Sequence, residues 1–235
     1  MISKYLTIFL ASAALSGCVA VENRLGWQGE VSAARQLLQF DERGRAFDVL
    51  DSVLEQYSNN STVLTALGEL YLEYDAILRA RAAYTRLEQA GQPIEAQLGL
   101  GRVALKTNSV TDARTHLNAV LAADPARIEA LNAFGVSHDI AGSHQTAQQF
   151  YQRALALDPG YQEAHNNLAF SLLLSRDFNH ATARFEQLVQ SYLRNRTYKL
   201  NLAVAYYAKN DSDSASRLEL SNSERSAARE LAAAL

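Results

Sequence analysis

From Leu131 to Pro159 the chain reads LNAFGVSHDIAGSHQTAQQFYQRALALDP, and its large apolar residues return at spacings of three, four and seven. That period places them on one stripe of an α-helix and does not suit a strand, whose faces alternate every second residue. The same register returns 34 residues later in HNNLAFSLLLSRDFNHATARFEQLVQSYL and 34 residues earlier in QLGLGRVALKTNSVTDARTHLNAVLAADP. Extended both ways, it gives six units beginning near Trp27, Ser61, Ile94, Ile128, Gln162 and Arg196, with one interval of 33 residues and the rest of 34. A period of this size predicts an all-α solenoid of stacked helical hairpins, because one hairpin alone cannot bury its apolar face.

Individual positions support the register. The eighth position of each unit holds Ala34, Gly68, Gly101, Gly135, Ala169 and Ala203, and the twentieth holds Ala46, Ala80, Ala113, Ala147, Ala181 and Ala215. Small residues in register let helices approach closely. Larger apolar residues stand beside them: Leu67, Leu100, Phe134, Leu168 and Leu202 on first helices, and Leu50, Tyr84, Leu117, Tyr151 and Phe185 on second helices. The fifteenth position reads Asp41, Asp75, Asn108, Gly142, Arg176 and Asn210, residue types that mostly tolerate the left-handed conformation ending a helix, with Arg176 the exception. Pro125 and Pro159 follow second helices, where a missing N–H does least harm.

These small, large and proline positions resemble those of the tetratricopeptide repeat over residues 27 to 220. The resemblance implies a right-handed superhelical solenoid with units at 27–60, 61–93, 94–127, 128–161, 162–195 and 196–220. The end units depart from the pattern: Glu30 and Ala34 replace the usual aromatic and Gly of the first, and Glu219 and Asn222 replace core residues on the second helix of the sixth. Polar outer faces suit terminal caps. Ser221 and Glu224 form a capping box that opens a last short helix over 221–235.

In tetratricopeptide proteins the first helices of successive units line a concave groove. The resemblance implies that the last three units present Asn132, Val136, Asp139 and Ile140, then Asn166, Phe170, Leu173 and Leu174, then Leu200, Val204 and Tyr207, with Asn167 and Asn201 one residue further along. Each Asn offers a donor and an acceptor, so a row of them can grip the backbone of an extended peptide while the apolar residues hold its side chains. An alternative stands beside this reading: the Asn residues bridge neighbouring helices and the apolar ones are core. The first half of the groove would be polar and of mixed charge, with Arg35, Glu69, Glu73, Glu95, Arg102 and Lys106. The C-terminal half is therefore expected to be the stickier.

The start of the chain adds a location. Lys4 precedes the apolar run YLTIFLASAAL, and Leu15-Ser16-Gly17-Cys18 follows, holding the chain's single cysteine. The run from Tyr5 to Leu15 is 11 residues long, short of the roughly 17 to 25 that a spanning helix needs, and it reads as an export signal over residues 1–17. The pattern around Cys18 resembles the lipobox of bacterial lipoproteins, which implies cleavage before Cys18, its lipidation, and a lipidated linker over 18–26. Two or three acyl chains hold a protein durably at a membrane, where one does not. Family knowledge of lipoprotein sorting makes Val19, in place of an Asp, a sign of the outer membrane and a periplasm-facing protein. An unlipidated Cys18 would instead leave a soluble periplasmic chaperone.

Charge and chemistry narrow the function. Without residues 1–17 the chain carries 25 acidic and 21 basic residues, which argues against nucleic acid, a partner that asks for a clustered basic surface. His116, His138, His144, His165 and His180 fall at five different repeat positions, with no spacing suited to a metal. No phosphate-cradling Gly-rich loop and no nucleophile-elbow serine occurs. His138 and Asp139 are adjacent, so on a helix they point about 100° apart and make a poor dyad. We expect no catalytic residues, no cofactor and no enzyme activity, and a protein partner instead.

The segments NNLAFSLLLSRDFNHATARFEQLV and RTYKLNLAVAYYAKNDSDSA resemble the TadD family of Tad (Flp-type) pilus assembly lipoproteins. The resemblance implies an outer-membrane protein that helps the secretin, the ring through which the pilus leaves, to assemble, with a secretin subunit or other pilus component as partner. Lipidated repeat proteins also serve as adaptors of peptidoglycan hydrolases, as type IV pilotins and in barrel assembly, and these readings remain open at the level of sequence.

Overall fold

A computed structural model describes residues 26–235. The export signal, Cys18 and the linker to residue 25 lie outside the described residues. Helix α1 spans residues 26–39, followed by α2 (Arg43–Gln56), α3 (Ser61–Glu73), α4 (Ile77–Gln89), α5 (Pro93–Lys106), α6 (Val110–Ala123) and α7 (Ile128–Ile140). Then come α8 (His144–Leu157), α9 (Gln162–Leu174), α10 (Phe178–Ser191), α11 (Arg196–Ala208), α12 (Ser212–Ser216) and α13 (Asn222–Ala233). No strand occurs among the described residues, and the fold is all-α. The chain divides into two compact units, one ending at Ala96 and one beginning at Gln97.

The turns inside the hairpins follow one design. Asp41, Asp75, Asn108, Arg176 and Asn210 have φ between 55° and 63°, and Gly142 has φ 73°, so all six fifteenth positions are left-handed. In each turn the next N–H reaches back five residues, as from Ala76 to the Tyr71 carbonyl at 2.7 Å and from Ser143 to the His138 carbonyl at 2.8 Å. These bonds satisfy carbonyls that the helix end leaves unpaired. Arg176 adopts the same conformation despite its Cβ, because the chain on both sides is fixed by the repeat. At the starts of α3 and α11 a side chain caps the free N–H groups: Asn60 accepts from the Val63 N–H at 3.2 Å, and Asn195 from the Tyr198 N–H at 3.1 Å.

Within each hairpin the small eighth position meets the large residue of the second helix. Gly68 lies under the Tyr84 ring and Gly135 under the Tyr151 ring, so close that a Cβ built on either would come within 2.6 Å and 2.3 Å of it. Leu50, Leu67, Tyr84, Leu117, Tyr151, Leu168 and Phe185 are all at most 2% exposed. The alanines of the eighth and twentieth positions have no exposed surface at all. Leu100, expected in the core, is only half-buried.

The sixth hairpin differs from expectation. Its second helix stops at Ser216 after five residues, so Glu219 and Asn222 do not sit on it. Glu219 is exposed and accepts from Lys199 at 2.8 Å. Helix α13 packs instead on α11, with Ala228 buried in the same cluster as Val204 and Ala205 and with Ala232 and Leu235 against it. The capping box at its start is formed, Ser221 accepting from the Glu224 N–H and Glu224 from the Ser221 N–H. Both Glu224 oxygens also accept from the Arg196 guanidinium at the start of α11.

Candidate functional site

Three helices of the C-terminal unit converge on one pocket. Val136, Asp139 and Ile140 come from α7, Tyr151 from α8, and Asn167, Phe170 and Leu174 from α9, and they enclose about 250 Å³. Val136 and Ile140 are one helical turn apart, as are Phe170 and Leu174, so each pair shares a face. The 34-residue offset then sets Val136 beside Phe170 and Ile140 beside Leu174 at matching places of successive units.

The polar end of the pocket is Asp139, whose side chain is 12% exposed. One carboxylate oxygen, Oδ2, accepts from the Tyr151 hydroxyl at 2.8 Å. The other, Oδ1, accepts from the Ser171 hydroxyl at 2.7 Å and from the His144 Nδ1–H at 2.8 Å. Burial, and then the adjacent carboxylate charge, push the Tyr151 hydroxyl well above its ordinary value, which keeps it a protonated donor.

The asparagines form a ladder beside this pocket. Asn167 donates to the Asn132 side-chain oxygen at 3.0 Å, and Asn201 donates to that of Asn166 at 2.8 Å. A longer bond of 3.4 Å runs from Asn166 to Asn167. The four residues therefore bridge α7, α9 and α11, as the alternative reading held, and each stays half-buried with some polar surface toward solvent. Val204, placed in the groove by sequence, has no exposed surface. It stands in the core, because α13 lies on α11 and closes that face. Tyr207 is partly covered by the same helix: the Arg229 guanidinium lies 5.0 Å from its ring centre, and its hydroxyl is buried without a hydrogen-bond partner among the described residues. Six sequence-selected residues thus meet in the pocket, three more build the ladder with Asn167, two lie under α13, and of the other two Leu173 is buried in the core with Leu200 packed against it.

In the N-terminal unit the groove-side Arg35 pairs with Glu73 at 2.9 Å. A hollow there is lined by Ser61, Thr62, Thr65, Ala66, Glu69, Gln92 and Glu95. His138 and Asp139 diverge. The His138 ring stacks on Phe150 at 5.4 Å, its Nδ1 meets the Arg114 guanidinium at 3.1 Å, and burial followed by the Arg114 charge lowers its pKa. Among the described residues, no three of His, Cys, Asp and Glu group as metal ligands.

Sequence reasoning placed Tyr151 in the core and gave Ser171 and His144 no role. The repeat singles out Asp139 alone, since the twelfth position reads Leu38, Leu72, Leu105, Asp139, Leu173 and Tyr207, whereas the seventeenth, with Arg43, Ile77, Val110, His144, Phe178 and Ser212, is polar in three units and does not mark His144.

Stacked hairpins with a lined pocket on their first helices make this a helical-repeat interaction scaffold. Tetratricopeptide-repeat family models match residues 65–128, 98–162 and 140–199, and the chain belongs to the tetratricopeptide-repeat family, whose members bind protein partners. It is 31% identical over 171 residues to the uncharacterized protein y4yS of Sinorhizobium fredii, covering 73% of this chain and 83% of that one. Solved structures of like fold include a thermophilic tetratricopeptide-repeat protein of Thermus thermophilus, with a TM-score of 0.64 at 15% identity over 76% of this chain and 97% of that one. Another is PilW, described as a widely conserved type IV pilus biogenesis factor, with a TM-score of 0.63 at 16% identity over 84% of this chain and 96% of that one.

Proposed function

We propose that the chain is an outer-membrane lipoprotein whose C-terminal repeats capture a segment of an envelope machine subunit, and that the machine is a Tad-type pilus with its secretin as the partner. The pocket between α7, α8 and α9 carries this reading, since it joins apolar walls to a polar end on the face where repeat first helices stand side by side. The Leu15-Ser16-Gly17-Cys18 pattern supports the tether, and Val19 the outer membrane. Likeness in the two TadD-like segments supports the pilus, and PilW shows that a type IV pilus biogenesis factor has a fold of this kind and size. The mechanism is concentration: a lipid tether confines the repeats to one leaflet, and captured subunits accumulate there in reach of one another.

Two experiments test the reading. Cells given radiolabelled palmitate should label the wild-type chain and leave Cys18→Ser unlabelled; equal labelling of both defeats the tether. Crosslinking in cells followed by pull-down should recover a secretin subunit with the wild type and lose it with Asn167→Ala/Phe170→Ala. Recovery of other envelope proteins without a secretin would defeat the pilus assignment.

A further inference from the structure

Asp139 is a charged departure from the repeat. Its position holds Leu in four other units and Tyr207 in the last, and Leu38, Leu72 and Leu173 are there at most 7% exposed. A carboxylate in such a place loses water, a cost offset in part by the donors it satisfies, Tyr151 and the buried Ser171, and its charge is left for further use. The surrounding residues hold that charge in place. Tyr151 and Ser171 donate neutral hydroxyls, and His144 donates an imidazole N–H, so the carboxylate is oriented by three donors. A carboxylate has about four lone-pair sites. Among the described residues Oδ2 accepts only from Tyr151 and keeps one of them, and both Asp139 and Tyr151 line the pocket.

The walls beside this oxygen are Val136, Ile140, Phe170 and Leu174. An apolar channel that ends on a fixed, half-enclosed negative charge matches a side chain with an aliphatic stem and a cationic head. We infer that the pocket is a subsite for a lysine or arginine side chain of an extended partner peptide, with Asp139 as its specificity-determining residue. A purely aliphatic side chain would fill the walls and leave the carboxylate without a cation, and an acidic one would meet like charge in a region of low dielectric. The inference rests on the proposed capture of a peptide by this face. It adds the chemistry of the captured segment: a basic residue flanked by apolar ones.

The test uses the full chain in detergent and short acetylated, amidated probe peptides of the form aliphatic–X–aliphatic, with X lysine, norleucine or glutamate. Binding is read by fluorescence anisotropy. The lysine peptide should bind about tenfold more tightly than the norleucine peptide, and the glutamate peptide weakest. Asp139→Asn should bring the ratio of lysine to norleucine binding down to about one, while Phe170→Ala should weaken both. Because the Asp139 network also supports the fold, a second measurement needs no variant: the lysine peptide should shift the Asp139 carboxyl carbon resonance and the norleucine peptide should not. Equal binding of lysine and norleucine, lost in Phe170→Ala, overturns the cation subsite and leaves peptide capture standing. Absence of binding by all three peptides, or binding indifferent to Phe170→Ala, overturns both.

Discussion

The Tyr151 ring lies so near Gly135 that a Cβ on that glycine would stand 2.3 Å from a ring carbon. Replacing a helical Gly by Ala ordinarily stabilises by about 0.8–1 kcal/mol. Here the added methyl must push back a fully buried aromatic ring whose hydroxyl is also held by Asp139. Gly135→Ala should therefore destabilise by about 1–3 kcal/mol, the usual cost of overpacking. Gly101 offers the contrast, because its nearest neighbour would be a Leu117 side-chain carbon at 3.0 Å, and an aliphatic chain yields more easily than a ring. Thermal unfolding should rank Gly135→Ala well below Gly101→Ala, and equal melting temperatures would mean that the ring moves freely.

Arg176 is left-handed at φ 63°, a conformation that costs a residue with a Cβ about 1–2 kcal/mol relative to its helical one. Asn stands at the same place in two other units and Gly in one. Arg176→Gly should raise stability by about 0.5–1 kcal/mol, part of the relief being offset by the larger entropy of Gly in the unfolded chain. Denaturant titration checks this: the midpoint should rise with an unchanged slope.

How much of this was visible in the chain depends on which residues repeat. Gly68, Gly135 and the twelve small positions were legible because close helix approach excludes everything larger, and six copies state the rule six times. The left-handed turns were legible for the same reason in five units, while Arg176, set apart by its residue type, adopts the conformation because register outweighs residue type. The pocket was legible only in part. Val136, Asp139, Ile140, Asn167, Phe170 and Leu174 follow from a repeat position, whereas the bonds that Tyr151 and His144 of α8 and Ser171 of α9 make to Asp139 are contacts that no periodicity encodes. Val204 was misplaced because its environment is set by α13, which stands outside the repeat and occurs once.

The asparagine ladder makes a separable prediction. Asn167 and Asn132 share one hydrogen bond at 3.0 Å, whose net contribution to stability is about 0.5–1.5 kcal/mol. A double-mutant cycle of Asn132→Ala and Asn167→Ala should return a coupling of that size in thermal unfolding. If the pair also grips peptide backbone, each single change should weaken binding of the lysine probe peptide by more than it lowers stability. Binding that follows stability alone would leave the ladder as a brace between α7 and α9 and nothing else.

His138 responds to acid in a direction that can be worked out. Burial and the Arg114 guanidinium lower its pKa in the folded protein from the ordinary 6.5, so the unfolded chain takes up a proton first as pH falls. Stability contributed by the neutral ring is present above the unfolded value and is lost as pH falls below it toward the folded value. Substituting His138→Gln should flatten the part of the stability profile that lies below the ordinary imidazole value, and a titration of the ring by nuclear magnetic resonance should show a midpoint below 6.5. A midpoint above that value would mean that Asp139 outweighs Arg114 at this ring, contrary to the geometry.

The first turn of the C-terminal helix is fastened by an ion pair, and acid should loosen it. Glu224 is held down from 4.5 to about 2, first by the Arg196 guanidinium and then by Ser221. A carboxyl whose folded value lies below its unfolded one contributes stability that is fully present above the unfolded value and disappears as pH falls through the folded one. The window for α13 is thus from about pH 4.5 down to about pH 2. The rest of its docking is independent of that carboxylate: Ala228, Ala232 and Leu235 pack on the α11 cluster, Arg225 donates to the Ser216 and Leu218 carbonyls at 3.3 and 3.1 Å, and the Arg229 guanidinium lies 5.0 Å from the Tyr207 ring centre. Hydrogen exchange should show α13 amides losing protection across that window before the amides of α7 and α9 do. Glu224→Gln should open α13 already at neutral pH and remove its dependence on acid. Release of α13 would also uncover Val204, so a dye that binds apolar surface should brighten in step with the lost protection. Protection of α13 that persists to about pH 2 would show that the alanine contacts suffice to hold it.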